Sequence, residues 1–335
     1  MLLTYAEDDA IICTSSGDVI KFGDEIKMKK IIAMMLAAAM VFALSACGSS
    51  DKKDEAAEST ASVDYSTQSL DELKSEIKTV NEGKLTVATS PDYAPYEFYA
   101  IGDDGKPTLA GFDVAIAGLI ADKLGLQLDV VPMDFDGTLA EMQSKKVDLG
   151  IAGYSSDPKR EGIMSFSHVY YMGEQALVTT KANADKLTSI EAANDSQYHI
   201  AAQTGSIQLD LAKENFPNAD VIELSKVTDI IAELISGKLD GAVIEKAVAE
   251  AYQKQYPDLV VSFDIPYETG GKIVGVNKDN EALLAAVNLI IDEALQDGTI
   301  DKFVAEANEL ALGNKYEGLL DENGNAVQAT EAPAA

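Results

Sequence analysis

The chain is 335 residues long and 47% hydrophobic, with 7% aromatic residues and no tryptophan, a composition sufficient for two ordinary globular domains with sizeable cores. Its 26 Lys and Arg stand against 56 Asp and Glu, a net charge of -30; the first 46 residues hold 4 Lys and 6 Asp or Glu, so the remainder still carries -28. So acidic a body has too few cations to neutralise phosphates, which excludes nucleic acid as a partner and disfavours anionic lipid.

Residues 1–27 form an extension that fits no targeting pattern, and Met28 stands immediately before Lys29-Lys30. Either Met28 is the true start or the extension is translated and removed. Residues 28–46 read as a signal peptide: two lysines, then an apolar run of 13 residues from Ile31 to Ala43, then Leu44-Ser45-Ala46-Cys47-Gly48. That run falls short of the roughly 20 residues a membrane-spanning helix needs. The small residues before Cys47 form a lipobox, and resemblance to bacterial lipoproteins implies a diacylglyceryl group on Cys47, placing the protein outside the cytoplasm on a lipid anchor. Cys13 and Cys47 are the two cysteines, both upstream of the folded pattern, so neither a disulfide framework nor a zinc cluster is expected.

Residues 47–83 are a tether and leader, almost free of large apolar residues up to Asp64 and amphipathic over 70–80. The folded pattern starts with a strand over 84–90, where β-branched residues alternate with others. The segment Ser90-Pro91-Asp92-Tyr93-Ala94-Pro95-Tyr96-Glu97-Phe98 reads as a Pro-rich loop past that strand, with Tyr93 as a stacking wall and Phe98 as a local core residue. A helix over 112–124, a strand over 126–131, a helix over 138–145 and a strand over 147–152 follow. Alternation of this kind predicts α/β architecture, mainly parallel sheets flanked by helices, with ligands at the carboxyl ends of strands. The second half repeats it, and Glu141, Ser144, Lys146 and Asp148 match Glu233, Ser236, Lys238 and Asp240 at one offset, as two lobes built on one unit would. Residues 315–335 read as a flexible tail.

Arg160 is the single arginine beside 25 lysines. Its planar fork suits a carboxylate, although a surface arginine closing the turn 156–160 is equally compatible with the local sequence. The loop Gly153-Tyr154-Ser155-Ser156 follows a strand and offers backbone groups and a hydroxyl. Thr204-Gly205-Ser206 opens a helix over 207–215, whose free N–H groups suit an anion, or else Ser206 is an ordinary N-cap. Glu245, at the end of a strand over 239–244, suits an ammonium, or else stabilises the first turn of the next helix. His168 and His199 have no metal-ligand spacing, and no nucleophile has a base nearby, so neither a metal, a cofactor nor a catalytic set is expected.

From Leu85 to about Gly313 the chain resembles the bacterial periplasmic-type proteins that bind polar amino acids for ABC transporters, such as those for lysine/arginine/ornithine, histidine and glutamine. The motifs are, in order, residues 90–98, Gly111-Phe112-Asp113, Asp134-Phe135-Asp136-Gly137, Asp157-Pro158-Lys159-Arg160, Phe166-Ser167 with Tyr170-Tyr171, Gly237-Lys238-Leu239-Asp240 and Asp297-Gly298-Thr299. The resemblance implies a type II two-lobed fold with crossing strands near 171–174 and 267–271, lobe one being 84–172 with 271–314 and lobe two 173–270. It implies that Tyr93 and Phe135 sandwich a small amino acid, and that Arg160 with the N–H groups of Ser155 and Ile207 holds its carboxylate beside Ser206 and Gln208. Glu245 and the Gly153 carbonyl would take its ammonium. A monomer handing its ligand to a permease and its ATPase is the expected partnership.

The chain departs from the family where Glu245 replaces a frequent Asp, Gly153 a frequent Ser and Ile207 a frequent Thr. Ser90 stands where some binders of basic amino acids carry an acid, so a basic ligand loses one contact. The rival readings are an enzyme on the same fold that dehydrates cyclic precursors of aromatic amino acids, and an extracellular sensor.

Overall fold

The computed structural model describes the strands within residues 5–21 and then residues 65, 67–101, 105–267 and 270–312. It divides into two compact units, 1–62 and 63–335. In the first, β1 (Tyr5–Ala6), β2 (Asp9–Cys13) and β3 (Val19–Lys21) form an antiparallel sheet. The signal peptide, the lipobox with Cys47, most of the tether and the tail at 315–335 lie outside the described residues.

The second unit contains two five-stranded sheets with matching construction. In one, β4 (Lys84–Thr89) lies between β8 (Gln127–Pro132) and β9 (Leu149–Gly150), parallel to both. In the other, β12 (His199–Gln203) lies between β13 (Asp220–Leu224) and β14 (Gly241–Glu245), again parallel to both. Each sheet then gains an antiparallel strand beside its third: β16 (Gly275–Asn277) on β9, and β11 (Gln175–Thr180) on β14. Beyond those strands the sheets end in β10 (Met164–Phe166) and β15 (Leu259–Ile265). Each sheet is thus mixed, with a parallel core extended by antiparallel strands. The chain passes from the first sheet to the second through residues 167–174 and returns through 266–274, where Lys272 bridges both Tyr171 and Ser155.

Leu85, Val87 and Ala88 of β4 are all sealed from solvent, so apolar residues replace alternation, as expected of a central strand covered on both faces. The helix Phe112–Leu124 covers it with Phe112, Ile116, Ile120 and Leu124, a spacing of four that keeps one face inward, and ends on Gly125 at φ 71°. Gly111 precedes that helix at φ 118°, and a Cβ there would lie 2.1 Å from the Tyr96 carbonyl oxygen, so glycine alone permits this approach. The contact fixes residues 90–98, which fold as a hairpin rather than an open loop: β5 (Asp92–Tyr93) pairs with β6 (Glu97–Ile101), which pairs in turn with β7 (Pro107–Ala110). No helix among the described residues is long and apolar enough to cross a membrane.

Candidate functional site

Between the two sheets lies a narrow cleft lined by Ser90, Asp92, Tyr93, Glu97, Phe135, Ala152, Gly153, Ser155, Arg160, Gln203, Ser206, Ile207 and Gln208. The structure therefore brings Tyr93, Phe135, Gly153, Ser155, Arg160, Ser206, Ile207 and Gln208 together around one space. A larger open hollow of about 680 Å³ lies near the leader, but its charged lining, Lys74, Lys78 and Glu82, is exposed.

Arg160 ends a short 3-10 turn, Pro158–Arg160, capped by the Asp157 carboxylate on the Lys159 N–H, and its side chain turns inward rather than closing a surface loop. The residue is 6% exposed. Its guanidinium lies 5.5 Å from the Phe135 ring centre and 5.6 Å from that of Tyr154. It donates to the Ser155 carbonyl at 3.5 Å and to the Gly205 carbonyl of the opposite lobe at 3.3 Å. Among the described residues no carboxylate pairs with it. A desolvated cation with two long hydrogen bonds keeps donors for an anion.

Facing it, the helix Ile207–Asn215 begins with Ser206, whose hydroxyl accepts from the Leu209 N–H at 3.2 Å and donates to the Gln203 carbonyl at 2.7 Å. Ser206 is therefore an N-cap, and the helix also presents its positive end to the cleft beside Arg160; the two readings of this segment coincide. Gln208 donates to the Tyr93 hydroxyl at 3.0 Å and to Gln175 at 2.8 Å. The bond to Tyr93, with that of Arg160 to Gly205, crosses from lobe to lobe, so the cleft is shut.

Glu245 does not line it. The carboxylate is wholly buried behind the Gly153–Ser155 wall, receives the Tyr96 hydroxyl and the Gln175 amide at 2.8 Å each, and pairs with Lys272 at 2.6 Å. Nothing in the spacing of residues 270–274 places Lys272 there; the legible sign was a lysine inside the Gly/Ile/Val run of a crossing strand.

Two acids enter the cleft that sequence reasoning passed over. Glu97 is 1% exposed, its carboxyl meets that of Asp113, and among the described residues no cation pairs with it. Burial first, and then the charge of neighbouring Asp113, push its carboxyl well above the usual value. The signal was available, because Glu97 pairs across the hairpin with Tyr93 and so shares its face. Asp92 accepts from the Val227 N–H at 2.7 Å and the Gln203 amide at 3.1 Å, both on the opposite lobe; burial pushes its carboxyl up to about 6 against those bonds. Asp113 stands behind the cleft, holding the Gly153 N–H at 2.7 Å and the Tyr170 hydroxyl at 2.8 Å, which fixes the turn carrying the site's backbone groups.

A family model described as bacterial extracellular solute-binding proteins, family 3, matches residues 85–307. The arginine-binding extracellular protein ArtP of Bacillus subtilis (strain 168) is 31% identical over 280 residues, covering 82% of this chain and 96% of that protein. The lysine/arginine/ornithine-binding periplasmic protein of Escherichia coli (strain K12) is 28% identical over 65% of this chain and 85% of its own length. Among solved structures, the amino acid ABC transporter substrate-binding protein AbpA of Streptococcus pneumoniae, bound to L-arginine, superposes with a TM-score of 0.66 at 32% identity, covering 72% of this chain and 99% of that one.

Proposed function

The chain belongs to the bacterial extracellular solute-binding proteins, family 3, and from that premise we propose that it captures a small amino acid with a cationic side chain, arginine first, and presents it to an ABC transporter. The observation that carries this reading is the pairing of opposites in one cleft: a guanidinium with no carboxylate partner among the described residues and, lining the same space, a buried carboxyl with no cation paired to it among the described residues. A ligand with a carboxylate at one end and a cation at the other satisfies both.

Arg160 and the N–H groups of Ser155 and Ile207 hold the ligand carboxylate, Tyr93 and Phe135 flank its chain, and Glu97 takes the distal cation. The acidic partner that Ser90 does not provide is thereby supplied from the neighbouring hairpin. Relatives named for arginine, or solved with it, support the choice of first ligand. In this reading residues 84–172 with 271–314 close on 173–270 around the ligand. The protein works as a monomer tethered through lipidated Cys47, so Cys47→Ala releases it from the membrane fraction.

Thermal unfolding of the mature protein against the common amino acids tests the assignment, because a ligand that binds the native state alone raises Tm. Arginine and lysine are expected to raise it most. A uniform absence of shifts, or a shift confined to acidic amino acids, refutes the cationic-ligand reading.

A further inference from the structure

An internal cation already occupies the position at which the family resemblance puts the ligand ammonium. Lys272 is 2% exposed. Its three N–H donors meet three acceptors: Glu245 Oε2 at 2.6 Å, the Gly153 carbonyl at 3.0 Å and Ser155 Oγ at 3.3 Å. Glu245 and the Gly153 carbonyl are the two groups assigned to the ligand amine by position. The Tyr96 ring lies 5.4 Å from the Nζ and closes another side.

The arrangement is sealed from several directions. Glu245 also accepts from Tyr96 and Gln175, so both its oxygens are engaged. Gly173 leaves just enough space for it, since a Cβ there would stand 2.0 Å from Glu245 Oε1. The backbone of Lys272 is fixed as well: its N–H donates to the Tyr171 carbonyl at 2.7 Å, and its carbonyl accepts from the Tyr170 N–H at 2.9 Å. A buried lysine with all its donors satisfied by a fully desolvated carboxylate and two further oxygens is costly to displace, because displacement strands the charge.

We propose that Lys272 is a built-in ammonium that fills the amine position, so that this protein selects carboxylates bearing a distal cation and does not read the α-amino group at Glu245. The inference rests on the reading of Arg160 and Glu97 given above and specifies its ligand class: guanidino and amino carboxylates, with or without an α-amine.

The test is calorimetric titration of the wild-type protein and of Lys272→Met with L-arginine and with 5-guanidinopentanoate, the same molecule without its α-amine. The wild-type affinities are expected to agree within about fivefold, whereas a read ammonium would separate them by about thirtyfold or more. Lys272→Met vacates the position, and arginine should then exceed the analogue by roughly tenfold or more. A wild-type preference for arginine of about thirtyfold or more overturns the proposal. If the wild type binds neither probe, the arginine reading has failed and the variant decides: arginine binding gained there supports the filled position, and no gain overturns it. Should Lys272→Met not fold, Lys272→Met/Glu245→Gln removes the stranded charge; a preference for arginine of roughly threefold or more supports the proposal, and equal affinities overturn it.

Discussion

The two lobes carry the same helix–turn–strand unit and put it to different uses. In each, the serine hydroxyl returns to the glutamate carbonyl, Ser144 to Glu141 at 3.2 Å and Ser236 to Glu233 at 3.1 Å. In each, the lysine pairs with that glutamate, Lys146 with Glu141 at 3.1 Å and Lys238 with Glu233 at 3.4 Å. The closing aspartate ties the unit to the neighbouring strand: Asp148 accepts the Thr86 N–H at 2.8 Å and Asp240 the His199 N–H at 2.9 Å. Beyond the shared strand they diverge. Lobe one breaks into the Gly153–Arg160 loop and offers the Arg160 guanidinium to the cleft, whereas lobe two runs on to Glu245 and seals it against Lys272. The lesson is that the repeat builds the scaffold, and the residues just past its last strand decide whether that end binds or locks.

The largest expected asymmetry lies between the two carboxylate anchors. Arg160→Ala removes a buried cation from lobe one and should weaken ligand binding by about 2 to 5 kcal/mol, roughly thirtyfold to several thousandfold. Ser206→Ala on lobe two should cost only about 1 kcal/mol of stability, from the lost cap, and leave binding within severalfold. Calorimetry on both variants checks this, and equal losses of affinity would mean that the helix end carries as much as the guanidinium.

Next is the aspartate that closes each unit. Asp148 is 1% exposed and also holds the Val80 N–H at 2.7 Å, whereas the Asp240 side chain is 26% exposed. Asp148→Ala strands two amide donors and should cost about 2 to 3 kcal/mol, against about 1 kcal/mol for Asp240→Ala. Urea unfolding of the two variants measures the difference.

The acids of lobe one add a pH dependence that the helix end of lobe two lacks. Burial and Asp113 make Glu97 hold its proton more tightly in the empty cleft, and a cation bound beside it favours the ionised form. Binding of arginine should therefore release a proton, and affinity should rise with pH by at most about tenfold per unit until the free-state value is passed. Asp92 acts on closure in the opposite sense. Its value, raised to about 6 in the closed form, makes that form hold the proton more tightly, so closure without ligand is fully favoured below the ordinary carboxylate range and loses that advantage as pH rises through about 6. Titration in two buffers of different ionisation heat reads the first effect, and small-angle scattering across pH the second.

The smallest effect concerns the turn inside the repeat. Lys145 adopts φ 54° where the matching residue of lobe two is Gly237 at φ 75°. Lys145→Gly should relieve up to about 1 kcal/mol of left-handed strain, partly offset by loss of the exposed ion pair with Asp279. A change in Tm of more than a few degrees in the destabilising direction would show that the ion pair outweighs the strain.

What could be read from the chain and what could not divide along the range of the interactions. The helices Phe112–Leu124 and Ile207–Asn215 were legible because apolar spacing and a cap are local; the one arginine in the chain marked Arg160 as a candidate, but its local sequence fitted a surface turn equally well and only the fold turned it inward. Element ends moved where tertiary contacts intervened: the helix expected over 138–145 starts at Phe135, under an Asp134 N-cap, and the strand expected over 147–152 is reduced to Leu149–Gly150. The Pro-rich segment became a hairpin because Gly111 lets a helix start press against Tyr96, a contact no local pattern contains. That hairpin alone turns Glu97 into the cleft beside Tyr93.

By itself the sequence determined the alternation of strands and helices and the repeated unit, and marked a single arginine and a helix start as candidates, since periodicity and residue chemistry act over a few residues. Only the tertiary structure decided that Glu245 is locked by Lys272 and that Glu97 lies against Asp113 with no cation paired to it among the described residues. Those outcomes depend on which charges meet across 27 residues in one case and fail to meet in the other, and burial makes each such meeting or absence costly to reverse.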